Sequence, residues 1–266
     1  MINADLVRHQ TDNQGVLRLT LCDASTRNSL SEAMLACLSQ HIEMASNEPS
    51  VKVIILAAEG PAFCAGHHLK ELTSARQDDD GGKAYFTKIM QMCSALMQSI
   101  VQCPKPVIAE VNGIATAAGC QLVASCDLAL ASETSQFSTP GVHIGLFCST
   151  PMVALSRNVS HKHAMEMLLT GDMIPAQRAR EMGLINQVVN AEQLQEATQA
   201  MANKIASKSS MTLAVGKKAF YAQAEMSLSD AYQYASEVMV DNMLAQDAEE
   251  GIQAFIEKRK PTWQHK

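Results

Sequence analysis

The sequence predicts an α/β fold: a layered core of repeated strand–helix units, followed by a helical C-terminal region. Three observations carry that prediction. In the first half, short apolar runs suited to strands alternate with stretches of helical apolar spacing. Glycine, proline and small residues separate these runs. Beyond residue 150 the pattern becomes helical.

The elements follow in order. Val16–Leu21 alternates apolar and polar residues, as a half-buried strand does. Ser29 and Glu32 have the spacing of a capping box. Met34, Leu35, Leu38, Ile42 and Ala45 then recur at helical spacing. Pro49 ends that helix, because proline disfavours helix for its predecessor, Glu48. Residues 51–58 form a nearly unbroken apolar run, the pattern of a strand covered on both faces. Glu59-Gly60-Pro61 breaks it, and residues 62–72 read as a loop. Residues 78–82 (DDDGG) read as a mobile, solvated turn rather than a metal site. Residues 84–101 read as a helix and 106–112 as a third strand. That strand runs into residues 113–124, where small residues permit close backbone approach as a helix begins. Residues 127–131 are a fourth strand, so right-handed crossovers are expected. Thr170-Gly171 and Met182-Gly183-Leu184 are helix stops. Leu194, Ala197, Met201 and Ile205 form one apolar stripe, and residues 228–245 and 248–258 are the last two helices. No linker interrupts the chain. The expectation is one integrated domain, with a core over 1–195 and a helical region over 196–266.

Composition narrows the function. The chain has 266 residues, 47% of them hydrophobic, ample for a real core. A net charge of −6 argues against a general nucleic-acid binder, though not against a small anion held by a few lysines. No apolar run approaches the ~20 residues that span a bilayer. Residues 1–8 lack the hydrophobic segment of a secretion signal, so neither a membrane nor a secreted protein is expected. The 8 cysteines include no C-x-x-C pair and lie mostly in apolar stretches, so they read as reduced, buried small hydrophobes. The sequon-like Asn158-Val159-Ser160 is then a chance match. The 16 methionines fill core gaps or line a pocket for varied acyl chains.

Two segments are placed for chemistry. Ala62-Phe63-Cys64-Ala65-Gly66 and Asn112–Leu122 each set small residues after an apolar strand and near a helix start. Backbone N–H groups there lack intrahelical partners and feel the positive end of the helix dipole. Two such donors brought together would hold an oxyanion, as suits an enolate formed beside a thioester.

With Cys126-Asp127-Leu128-Ala129, Leu169-Thr170-Gly171, Ala179 and Gly183-Leu184-Ile185, and the run from Glu250 to Arg259, these segments resemble the enoyl-CoA hydratase/isomerase (crotonase) family over residues 14–263. Residues 119–127, 139–142 and 145–151 are closer still to one branch of it. The resemblance implies a crotonase-like (ClpP/crotonase) spiral of ββα units, closed by C-terminal helices that drive trimers, often paired into hexamers. It implies an acyl-CoA thioester as ligand, with coenzyme A as part of the substrate, no separate cofactor and no metal. By position, the oxyanion donors are the N–H groups of His67, just after Gly66, and of Ala118, just before Gly119. The Ala65 carbonyl and the Leu69 side chain border the adenine. Lys70, and Lys258 from a neighbouring subunit, lie near the phosphates, unless they are ordinary surface lysines. The resemblance is compatible with a bacterial cytoplasm or a mitochondrial matrix.

The sequence departs from the family at its acids. The two glutamates that handle water and the α-proton correspond to Gln121 and Gly141, and a third carboxylate position is Ser149. An amide accepts no proton at neutral pH and glycine has no side chain, so two-glutamate hydration is not available. Gln121 retains hydrogen-bonding groups to orient a water or a substrate oxygen. His67, His68 and His143 are the remaining candidates for proton transfer; the alternative is packing or loop residues. Cys148 would be a nucleophile only with a lowered pKa. Cys64, His67 and His68 resemble a metal half-site without an evident fourth ligand. Three functions stand at this point: an enolate-stabilising enzyme, a non-catalytic acyl-CoA binder, and, last, a peptide hydrolase. The last lacks a G-x-S-x-G elbow, and Ser149 and His143 are not in an evident triad order.

Overall fold

The computed structural model describes residues 6–266; residues 1–5, part of the stretch in which no secretion signal is read, lie outside them. In chain order come β1 (Val7–Thr11), β2 (Val16–Leu21), α1 (Glu32–Asn47), β3 (Val53–Ala58), β4 (Ala62–Cys64), α2 (Leu69–Ala75), α3 (Lys83–Gln102), β5 (Val107–Val111), β6 (Ile114–Thr116), α4 (Ala118–Ser125), β7 (Leu128–Ser132) and β8 (Gln136–Ser138). They are followed by α5 (Ser149–Asn158), α6 (His161–Thr170), β9 (Ile174–Pro175), α7 (Ala176–Met182), β10 (Gln187–Val189), α8 (Leu194–Ala206), α9 (Ser210–Gln223), α10 (Leu228–Met243) and α11 (Gln246–Glu257).

Two sheets result, ordered β1-β2-β3-β5-β7-β10 and β4-β6-β8-β9. The pairs β3–β4, β5–β6 and β7–β8 each add one strand to each sheet, and the added strands pair in parallel within their sheets. Each pair is followed by helix, so the chain winds as the expected spiral of ββα turns. Among the described residues only β1 and β9, at sheet edges, run antiparallel to their neighbours.

The covered-strand reading of β3 is borne out in detail. Ile54 and Leu56 join the cluster that contains Leu38 and Ile42 of α1 and Leu96 of α3. Val53, Ile55 and Ala57 join Leu194, Ala202 and Ala206 of α8 on the opposite face. Alternate residues of one strand thus serve two cores, as the strand period of two requires. Each such buried Val, Leu or Ile contributes about 1.5–3 kcal/mol of transfer free energy. α8 is therefore as much part of the core as the spiral. α9 is fixed by polar contacts. Lys217 Nζ donates to the carbonyls of Ile100 and Lys105 and, at 2.6 Å, to Asp127 Oδ2. Tyr221 donates its hydroxyl to Asp127 Oδ1.

Several local expectations need correction. α1 is capped by Ser31, whose Oγ accepts from the Met34 N–H at 3.1 Å, and not by Ser29. The side chain of Glu32 pairs with Lys88 instead of reaching back to a cap. The stretch read as a loop over 62–72 contains β4 and the start of α2. Asp80 caps α3, accepting from the N–H groups of Gly82 and Ala84. The helix stops at Gly171 and Gly183 hold: both residues are left-handed, with φ of 68° and 88°. Seven of the eight cysteines are buried, and among the described residues no disulfide joins any two of them. Among the described residues no helix is long and apolar enough to cross a membrane.

Candidate active site

Two turns of the spiral meet at the segments singled out in the sequence. β4 delivers Ala65-Gly66-His67, and β6 delivers Ala117-Ala118-Gly119 at the start of α4. Their contact requires glycine. Gly66 has φ +89°, and a Cβ there would lie 2.9 Å from the Ala117 Cβ and 3.3 Å from the Ala118 nitrogen. A Cβ on Gly119 would lie 2.1 Å from the Cys64 carbonyl oxygen. Hydrogen bonds hold both segments. Leu30 N–H donates to the Gly66 carbonyl at 2.7 Å, and Ala65 N–H to the Arg27 carbonyl at 3.1 Å. The Thr116 hydroxyl donates to the Ala65 carbonyl at 3.2 Å, and Ala117 N–H to the Ser138 carbonyl at 2.9 Å.

Ala117 carries the sharp turn, with φ 51° and ψ −119°. For a residue with a Cβ such backbone costs about 1–3 kcal/mol, and it persists only where surrounding bonds over-determine it. Among the described residues no backbone carbonyl accepts from the N–H of His67 or of Ala118. Backbone bond lengths, together with the 3.3 Å from the Gly66 Cβ position to the Ala118 nitrogen, put these two nitrogens within about 7 Å of each other. Ala118 opens α4, so its N–H also stands at the positive end of that helix.

Gln121 lies one turn into α4, buried, and its Oε1 faces the Cys93 thiol at 4.0 Å. The His67 ring nitrogens are buried without hydrogen-bond partners. Burial pushes the pKa of that imidazole below its ordinary value, and the Leu30 carbonyl opposes the shift. His68 is the N-cap of α2: its Nδ1 accepts from the Glu71 N–H at 3.3 Å. Leu69 and Lys70 follow, beside Thr73, Ser74 and Gln77 in an open groove of ≈ 440 Å³.

The remaining candidates lie apart. His143 is exposed, and its Nε2 bonds the Thr170 carbonyl at 2.9 Å, tying it to the end of α6. Ser149 Oγ donates to the Phe147 carbonyl. Lys258 is the left-handed C-cap of α11, φ 56°. Among the described residues no hydrogen bond or ion pair joins His143 or Lys258 to the segments around Gly66 and Gly119. Gly141 is buried, and a Cβ there would meet the Leu146 carbonyl oxygen at 2.8 Å and the Cys148 Sγ at 2.9 Å. Burial raises the Cys148 thiol's pKa, which leaves it protonated rather than nucleophilic. Burial also pushes Cys64 up to about 12, and among the described residues no three His, Cys, Asp or Glu side chains are grouped to hold a metal ion.

Two contributors are not evident from the sequence. Asn28, fully buried in a left-handed conformation with φ 54°, donates its amide to the carbonyls of Glu59 and Ala62 and so fixes both ends of the turn before β4. Asn is the residue that tolerates that conformation, and Arg27-Asn28 ahead of a helix was the available signal. Cys148, weighed in the sequence only as a nucleophile, fills the space facing Gly141 across a turn of seven residues.

Comparison with known proteins agrees with this architecture. A family model described as enoyl-CoA hydratase/isomerase matches residues 11–266. The mitochondrial enoyl-CoA hydratase domain-containing protein 3 of Rattus norvegicus is 52% identical over 251 residues, covering 94% of this chain and 82% of that protein. Its Homo sapiens counterpart is 50% identical over 251 residues, covering 94% and 81%. A crystal structure of human enoyl-coenzyme A hydratase domain-containing protein 3 superposes with a TM-score of 0.92 at 48% identity, over 97% of this chain and 100% of that one. The enoyl-CoA hydratase of Mycobacterium smegmatis gives a TM-score of 0.93 at 46% identity, over 97% and 98%. The fold is the crotonase fold, and the domain-containing protein 3 relatives represent the branch that residues 119–151 resemble.

Proposed function

This chain belongs to the enoyl-CoA hydratase/isomerase family, and we propose on that ground that it binds an acyl-CoA thioester and stabilises its enolate. The N–H groups of His67 and Ala118 receive the thioester oxygen. The observation that carries the reading is the strained Ala117 turn, locked against Gly66 and flanked by two main-chain donors without acceptors. Donors fixed before the reaction, at a helix N-terminus, act on charge as it develops and need no reorganisation. The Ala65 carbonyl and Leu69 border the adenine, and Lys70 in its groove meets the phosphates with Lys258 of a neighbouring subunit. The assembly is a homotrimer or hexamer, formed through the helical region over 196–266. Large apolar side chains exposed there, among them Phe220, Leu228, Val240, Leu244 and Phe255, support it. The mitochondrial names of the relatives favour the matrix over a bacterial cytoplasm.

The reaction is a proton shift or addition beside the thioester that does not use the two-glutamate route, because Gln121 and Gly141 stand in those places. His67 and His68 are the titratable groups of the Gly66 loop and the first candidates to move the proton. A second reading, a non-catalytic acyl-CoA binder, is favoured by the Cys148 thiol and the Leu146 carbonyl, which already occupy the space facing Gly141. Incubation with enoyl-CoAs of graded chain length, read by mass spectrometry, separates the two. A hydrated or isomerised product abolished by crowding at Gly66 supports the enzyme. Calorimetric binding without turnover supports the binder, and neither binding nor turnover refutes both.

A further inference from the structure

The last eight residues, 259–266, do not trail from α11 but run back along it. Arg259 forks onto Glu250 with bonds of 2.7 and 2.8 Å and onto Glu257 at 2.6 Å. Thr262 N–H donates to the same Glu250 at 2.7 Å. Gln264 and His265 donate their N–H groups to the two oxygens of Asp247, at 2.7 and 2.9 Å. Asp247 is 1% exposed. Burial alone would raise its pKa, but the bonds from Ser209, Gln264 and His265 hold it below the ordinary value. Trp263, the one tryptophan of the chain, donates its indole N–H to the Ser207 carbonyl at 2.9 Å. Its ring lies over Gly251, where even a Cβ would come within 3.2 Å. A glycine inside a helix is ordinarily unfavourable, and here it admits the indole. The tail thus ties α11 to the junction of α8 and α9.

At the start of this tail stands Lys258, left-handed at φ 56°. Arg259 beside it is spent on Glu250 and Glu257, while among the described residues no ion pair engages Lys258. We infer that residues 259–266 are a strap that sets the position of Lys258, so that Asp247, Gly251 and Trp263 are positioning residues for its contact with an anionic ligand. This rests on the acyl-CoA reading above, in which that ligand is the phosphate end of coenzyme A.

The test uses the full assembly, with Trp263 emission reporting the strap and calorimetry reporting binding. Asp247→Asn puts an NH2 donor in place of one of the two oxygens that accept from Gln264 and His265. Gly251→Leu, a milder change to the fold, pushes the indole from its seat. In both, emission shifts to the red and the Kd for butyryl-CoA rises about tenfold, the loss of one charge-assisted contact. Lys258→Ala raises that Kd to the same extent with emission unshifted and is not additive with either, and binding of butyryl-pantetheine, which lacks the nucleotide phosphates, is unchanged. Unshifted emission, or a shift with unchanged butyryl-CoA affinity, overturns the strap's role and leaves the acyl-CoA reading standing. Equal weakening of both thioesters also overturns it, since that marks general damage. No butyryl-CoA binding by the unaltered protein overturns the acyl-CoA reading and the strap's role together.

Discussion

Replacing Gly119 with alanine tests the meeting of the two turns at its tightest point. The new methyl carbon lies 2.1 Å from the Cys64 carbonyl oxygen, whereas ordinary contact starts at 3.4 Å, so the backbones must separate by about 1.3 Å. The obstacle is main chain, which has no rotamer to move out of the way. Overpacking of this kind costs about 1–3 kcal/mol, and the rigid partner points to the upper end. At about 2–4 °C per kcal/mol for a chain this size, Gly119→Ala lowers Tm by about 6–12 °C. A misplacement of about 1 Å at a reacting centre also costs about a hundredfold in rate, so turnover, where present, falls by about that factor. Gly216→Ala is the control: nothing lies within 4 Å of the added carbon, and α9 gains about 1 kcal/mol of helix propensity. Scanning calorimetry and butyryl-CoA binding read both. A Gly119→Ala protein with unchanged Tm and unchanged affinity would show that the two segments do not approach as described.

Three further outcomes follow from the same contacts. Burial lowers the pKa of His41 and of His67, with His9 adding to the effect at His41. The unfolded chain therefore binds protons below about pH 6.5 that the folded chain refuses. Stability is unaffected above that pH and falls below it, by up to about 1.4 kcal/mol per pH unit for each histidine, and denaturant midpoints for His41→Phe show a shallower loss. Gly141→Glu installs no hydratase activity and lowers Tm, because its Cβ meets Leu146 O at 2.8 Å and Cys148 Sγ at 2.9 Å; adding Cys148→Ala recovers about 1–3 kcal/mol by calorimetry. Lys217→Ala leaves Asp127 without its cation, costs about 3–5 kcal/mol and shifts the urea midpoint accordingly.

Much of this fold is written in local pattern. The near-continuous run into Ala58 identifies β3 because a strand covered on both faces has no polar side to show. Gly171 and Gly183 mark helix ends because a left-handed C-cap disfavours a Cβ. The spacing of Ser29 and Glu32 points to a cap two residues early, because Ser29 and Ser31 both suit the role and it is the Ser31 Oγ that accepts from the Met34 N–H. The three-residue strands β4, β6 and β8 and the seven-residue α2 are too short for a period to show; long-range pairing creates them. At the site, the glycines and small residues around 66 and 119 were legible, since close approach demands them. The role of Asn28 depends on a segment 34 residues away, beyond any local window, and that of Cys148 on a turn of seven residues that has no repeating pattern to read.

The most direct measurement is a crystal structure of the protein with butyryl-CoA bound. The account predicts the thioester oxygen within about 3 Å of both the His67 and the Ala118 main-chain nitrogens, the hydrogen-bonding range for such donors. A thioester oxygen bound elsewhere, with those two N–H groups facing protein or solvent, would contradict it.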